Sequence, residues 1–102
     1  MVCRIVLPKY GGHTPTPTHS VCRQIAVIAG GFSAYSGTGG WFNSADNYIE
    51  EEILIVDIAL SADIDIADRQ AQNLRKLCRD IAHNWNQDCV YFAIDGIVEY
   101  VN

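Results

Sequence analysis

Apolar and polar positions alternate in four places along this chain and fall into a helical repeat in two others. "VCRIVLPKY" (2–10) has two largely apolar faces, Cys3, Ile5 and Leu7 on one and Val2, Arg4 and Val6 on the other, as in a central strand, with Pro8 marking its end. "GGHTPTPTHS" (11–20) reads as a loop, because two glycines and two prolines disfavour regular structure. "VCRQIAVIA" (21–29) carries a helical stripe at Val21, Cys22, Ile25, Ile28 and Ala29, with Ser20 as its predicted N-cap and Gly30–Gly31 as its stop. A strand over "QIAVIA" is the competing reading, since β-branched residues weaken helix propensity.

"FSAYS" (32–36) predicts a strand. "GTGGWFNSADN" (37–47) predicts a turn region, part of which can prolong that strand. "YIEEEILIVDIAL" (48–60) is the strongest strand signal, with a charged start at Glu50, Glu51 and Glu52. In "SADIDIADRQAQNLRKLCRDIAHNWNQ" (61–87), Ala67, Ala71, Leu74, Cys78, Ile81 and Trp85 recur every three or four residues, and Arg69, Gln72, Lys76 and Arg79 take the opposite face. Asp63 or Asp65 suits the cap of that helix. "DCVYFAIDGIVEYVN" (88–102) predicts two short strands joined at Asp95–Gly96, a hairpin signal.

The order β-α-β-β-α-β, with the last strand folded into a hairpin, is the ferredoxin-like split βαβ pattern. It predicts one α+β domain over residues 1–102, an antiparallel sheet with two helices on one face. The other face is then open, with Tyr35, Tyr91 and Tyr100 as candidates to line it, and self-association through that sheet follows as an expectation.

Charge divides the chain unevenly. Net charge is −5, yet no acid precedes Asp46, where Arg4, Lys9 and Arg23 stand alone. The overall sign disfavours nucleic acid as a partner, since that binding is driven by phosphate neutralisation. No apolar run approaches the roughly 18 residues of a membrane span, and the start lacks a leader pattern, so a cytoplasmic location is expected. The four cysteines, Cys3, Cys22, Cys78 and Cys89, lack CxxC spacing and read as reduced thiols.

Candidate chemistry centres on "GGFSAYSGTGGW" (30–41). It matches neither a P-loop, since no Lys follows the glycines, nor a dinucleotide fingerprint, since no helix follows them. Turns, bulges or close backbone approach explain the glycines most simply. As a ligand loop, Gly37, Gly39 and Gly40 offer backbone N–H groups, Tyr35 and Trp41 offer rings for stacking, and Arg4, Lys9, His13 and Arg23 supply positive charge. His13 and His19 fit no zinc spacing, and no Ser-His-Asp set, Cys-His pair or HExxH is present, so no metal, cofactor or catalytic residue is assigned.

The segments "GGFSAYSGTGGW", "EEEILIVDIAL", "LRKLCRDIAHNW" and "CVYFAIDGIVEYV" together resemble a group of short, uncharacterised bacterial and phage proteins. The resemblance covers roughly residues 30 to 100 and implies a ferredoxin-like fold without a settled activity. The leading functional expectation is a non-catalytic, homo-oligomeric binding protein for a small anionic or nucleotide-like ligand. For a phage source, sequestering a host signalling nucleotide or blocking a host defence protein suits its size. The alternatives are an interaction module that docks a basic partner without a ligand, and a small enzyme using Glu50–Glu52 or His13 as acid–base.

Overall fold

Residues 1–102 are described by a computed structural model. Chain order runs β1 (Val2–Pro8), β2 (Tyr10–Gly11), β3 (Thr14–Pro15), α1 (Thr18–Ala29), β4 (Ser33–Phe42), β5 (Tyr48–Ala59), α2 (Ile64–Asn84), β6 (Val90–Ile94) and β7 (Ile97–Val101). The main sheet has the order β4-β5-β1-β6-β7, and every pairing in it is antiparallel. β1, β4, β5 and β6 form the ferredoxin-like arrangement, and β7 adds one edge strand.

Alternation decides which side of each strand is covered. Cys3, Ile5 and Leu7 of β1 lie across from Ile58, Val56 and Leu54 of β5, and this side packs under the helices. The helices add Val21, Cys22 and Ile25 from α1 and Ala67, Leu74, Leu77, Cys78 and Ile81 from α2, giving one core cluster of 18 buried residues. Burial pushes the Cys3 and Cys78 thiols up to about 12 and raises that of Cys22, which leaves these three as inert, reduced packing groups. Cys89 is exposed.

The cap of α2 is the predicted one. Asp63 is extended, and its Oδ1 accepts from the Asp65 and Ile66 N–H groups at 3.0 and 3.2 Å. Asp63→Ala removes both acceptors. It is expected to cost about 1 kcal/mol and to lower the melting temperature by roughly 5 °C in a thermal melt followed by circular dichroism.

α1 starts two residues before the predicted cap. Ser20 lies inside the first turn, Pro17 holds the N-cap position without a side-chain cap, and the Val21 N–H donates to the Pro17 carbonyl. Proline tolerates this place because an N-terminal helix position demands no N–H from it. The strand alternative for Gln24–Ala29 is not adopted, and Gly30 ends the helix in the left-handed region at φ 90°. The hairpin at Asp95–Gly96 has φ of 47° and 82° at its two central residues, the sign pattern of a type I′ turn.

Two segments depart from expectation. The 11–20 segment is not loop throughout: β2 and β3 pair as a small ladder (Tyr10 with Pro15, Gly11 with Thr14) around Gly12 and His13. The glycines at 37, 39 and 40 are not a turn but lie within β4, which pairs without a break from Ser33 to Phe42. The actual turn is Asn43–Asn47, where the Asn43 side chain accepts from the Ala45 and Asn47 N–H groups. Neighbours on β5 fill the space that the glycines leave. A Cβ on Gly37 would meet Ile55 Cδ1 at 3.1 Å, and one on Gly40 would meet the Tyr48 hydroxyl at 2.5 Å, so the Tyr48 ring lies over bare backbone.

β1 reaches along β5 only as far as the Pro8–Ile53 pair. Beyond it, Thr38–Phe42 and Tyr48–Glu52 continue as a two-stranded arm, and the molecule measures 45 × 25 × 23 Å. The sheet face away from the helices is uncovered. Tyr35, Tyr91 and Tyr100 all sit on it, as the alternation predicts, and Tyr91 meets Tyr100 edge-on at 5.9 Å.

Candidate functional site

Where β5 outruns β1, its free flank is met by the β2–β3 hairpin. The hairpin is tied down at its base. The Lys9 N–H donates to the Glu52 carbonyl at 3.1 Å, the Thr16 N–H to the Lys9 carbonyl at 2.9 Å, and the Thr16 hydroxyl to the Pro8 carbonyl at 2.6 Å. Between hairpin and arm lies a cleft of about 550 Å³, lined by Tyr10, Gly12, His13, Trp41, Ile49, Glu50, Glu51 and Glu52. That volume is in the range of small-molecule sites.

The register sets the interior of this cleft. Trp41 pairs with Ile49, and Gly39 with Glu51, so Trp41, Ile49 and Glu51 share one side of the arm. Gly39 places no side chain beside the Glu51 carboxylate. Glu51 is half-buried, and desolvation raises its pKa above the 4.5 of a free glutamate. The cleft therefore combines rings with the Glu51 carboxylate, with Glu50 and Glu52 alongside on the same strand, an environment that attracts a cation and repels an anion.

A second polar cluster stands on the open face. Arg4 Nε donates to Asp57 Oδ1 at 2.7 Å, Arg4 Nη2 donates to Asp57 Oδ2 at 3.0 Å and to the Tyr35 hydroxyl at 2.8 Å, and that hydroxyl donates to Asp57 Oδ2 at 2.9 Å. Hydrogen bonding to Arg4 holds the Asp57 carboxyl below its ordinary range, the same contact raises Arg4, and hydrogen bonding to Asp57 raises the Tyr35 phenol. Six residues of β5 separate Asp57 from Glu51, roughly 20 Å at the rise of an extended strand.

The candidate residues are thus dispersed. The fold brings together His13 and Trp41 in the cleft. Arg4 and Tyr35 belong to the second cluster. Lys9 hydrogen-bonds the Ser36 hydroxyl. Arg23 lies on the outer face of α1 with His19 and Val27, in a separate groove. Gly37, Gly39 and Gly40 have their backbones in the β4–β5 ladder. Tyr10 and Asp57 were not singled out from the sequence. Asp57 carried a signal, a lone charge inside the apolar run "ILIVDIAL".

No family model matches the chain, and no curated protein matches it. Two solved structures do. One is a phage SAM lyase in complex with S-methyl-5'-thioadenosine, 17% identical, with a TM-score of 0.61 over 96% of this chain and 83% of that one. The other is a phage SAM lyase in its apo state, 18% identical, with a TM-score of 0.56 over 96% of this chain and 82% of that one. The chain shares its fold with a phage SAM lyase.

This likeness agrees with the resemblance to phage proteins and with the ferredoxin-like reading. The expectation of a non-catalytic binding protein is contradicted by this likeness, since the solved structures that share the fold over 96% of the chain are of an enzyme. The anionic ligand goes with it: the acid-free first half of the sequence does not build an acid-free pocket, since Trp41 and His13 meet Glu50–Glu52 across the cleft. No helix is long and apolar enough to cross a membrane.

Proposed function

We propose that this chain is a lyase for a sulfonium nucleoside, S-adenosylmethionine, releasing S-methyl-5'-thioadenosine. The carrying observation is the acidic, aromatic cleft between the arm and the β2–β3 hairpin, on a fold whose solved neighbours are SAM lyases. The substrate suits the cleft chemically: it has a planar base, a positive sulfur and an ammonium group.

The electron balance needs nothing from outside the substrate. As the bond from sulfur to the amino-acid side chain breaks, its electron pair stays on sulfur and cancels the positive charge. The γ-carbon left behind accepts a lone pair from the substrate's own carboxylate oxygen, so a new C–O bond closes a lactone as the C–S bond opens, and no water or cofactor enters. Charge disappears on the way to the transition state, and a site poor in water favours such a step. The protein's contribution is therefore binding and exclusion of solvent. Trp41 stacks on the adenine ring, and the Glu51 carboxylate on the same side of the arm attracts the cation and holds its donors. Self-association belongs to this reading, because a single chain leaves Trp41 43% exposed and small-molecule sites bury most of their ligand.

The test is incubation of the purified protein with S-adenosylmethionine and chromatography for S-methyl-5'-thioadenosine. Its appearance at a rate proportional to protein supports the reading, and an unchanged substrate peak rejects it. Trp41→Ala is expected to raise KM by roughly tenfold or more while the melting temperature holds, as loss of one base-stacking contact predicts.

A further inference from the structure

The cleft has two unlike walls. One is the arm, where Trp41, Ile49 and Glu51 share a side and Glu50 and Glu52 stand alongside. The other is the β2–β3 hairpin, which contributes Tyr10, Gly12 and His13. Among the 8 lining residues three are acids, and only His13 can carry positive charge. Neither ion pair of the chain involves His13, so the acids across the cleft leave its exposed imidazole free. Tyr10 and Trp41 also offer donors, but neither offers charge.

The tip that carries His13 is held in place. Gly12 takes φ 66°, which lets the chain reverse between Gly11 and Thr14. At the base, Thr16 donates twice, from its N–H to the Lys9 carbonyl and from its hydroxyl to the Pro8 carbonyl. The Lys9 N–H donates in turn to the Glu52 carbonyl. These bonds fix the hairpin backbone relative to the strand that carries Glu51.

S-adenosylmethionine carries its ammonium and its carboxylate on one carbon. A wall of acids that attracts the ammonium repels the carboxylate, which therefore turns to the opposite wall. We propose that His13 receives this carboxylate and is the residue that selects ligands with an intact amino-acid end. This role rests on the lyase reading of the cleft. The imidazole N–H donates to one carboxylate oxygen. The other oxygen is left to form the new bond to the γ-carbon as the C–S bond opens, and the pair of that broken bond stays on sulfur. His13 neither gains nor loses a proton in the step, and its contribution is to aim the attacking carboxylate.

The experiment is isothermal titration calorimetry of the purified full chain with two probes. S-adenosylhomocysteine has the amino-acid end and a neutral sulfur, whereas S-methyl-5'-thioadenosine has the adenine and the sulfur without that end. His13→Ala is expected to raise the Kd of S-adenosylhomocysteine by roughly tenfold or more, as loss of one charge-assisted hydrogen bond predicts, and to move that of S-methyl-5'-thioadenosine by less than about twofold. His13→Gln keeps an N–H donor and is expected to recover part of the loss. The melting temperature should hold in both variants, because His13 is exposed at a turn. A wild type that does not bind S-adenosylhomocysteine overturns the proposal. So does a His13→Ala variant that weakens both probes equally or weakens neither. Turnover of S-adenosylmethionine is measured separately. A wild type that binds S-adenosylhomocysteine through His13 yet leaves S-adenosylmethionine intact keeps the carboxylate site and rejects the lyase reading.

Discussion

Glu51→Gln is expected to lower kcat/KM for S-adenosylmethionine by roughly a hundredfold, the effect of losing a charge-assisted contact to a bound cation. The melting temperature should stay level or rise. The raised pKa of Glu51 supplies the sign. Its carboxyl holds a proton more tightly in the folded chain than in the unfolded one, so above the unfolded value ionisation works against folding. A neutral amide removes that opposition together with the charge that the substrate needs. A pH series gives a second check. Below neutrality the wild-type kcat/KM should fall with a midpoint above the 4.5 of a free glutamate, because the protonated form no longer attracts the cation. The Gln variant should lack that limb of the profile. Equal losses of activity and of stability would identify Glu51 as a structural group and move the site elsewhere.

Phe92→Ala is the largest stability effect expected in this fold. Phe92 is 1% exposed in the middle of β6, across from Ile5 of the central strand, and Arg75 of α2 lies over its ring at 5.1 Å. Removing the ring takes away apolar burial and a cation–π contact, and it leaves a cavity between sheet and helix. The cost is about 3–5 kcal/mol against a total of about 5–15 kcal/mol for a typical domain. The melting temperature should fall by roughly 15 °C or more. Urea unfolding should show a lower midpoint at an unchanged slope, since the surface exposed on unfolding is nearly the same. Val27→Ala on the outer face of α1 serves as the control, with an expected change within about 0.5 kcal/mol.

The sheet was legible because its signals are local and redundant. Alternation in "VCRIVLP" and "ILIVDIAL", the Asp95–Gly96 turn and the stripe from Ala67 to Trp85 each rest on a few neighbouring residues, and each is realised. The glycine-rich strand was harder to read. Gly37, Gly39 and Gly40 mimic a turn because their strand character is supplied by Ile53, Ile55 and Tyr48 on β5, which fill space that the glycines' own side chains do not. The 11–20 segment hid its ladder because two-residue strands carry too few positions for a period.

The site was less legible than the fold, for a related reason. Positive residues were grouped with the glycines by their nearness in sequence, whereas the sheet order inserts β5 between β4 and β1 and folds the acid-rich start of β5 against the acid-free hairpin. Pairing across 22 to 53 residues created the Tyr35–Asp57 and Arg4–Asp57 contacts. No window of sequence displays them together, although a lone Asp in an apolar strand hints that a distant cation must face it.

The central position of β1 also shapes how the chain is made. Its two neighbours are β5 and β6, so Cys3 has to wait for Ile58 and then for Ile94. During synthesis the apolar strand "VCRIVLP" stays unpaired until β5 has left the ribosome, and one of its sides stays open until β6 has followed. Early helix formation in α1 cannot shelter it, because α1 needs the finished sheet as its own support. Folding of this small domain is consequently governed by its most distant pairings, and should be slow for its length.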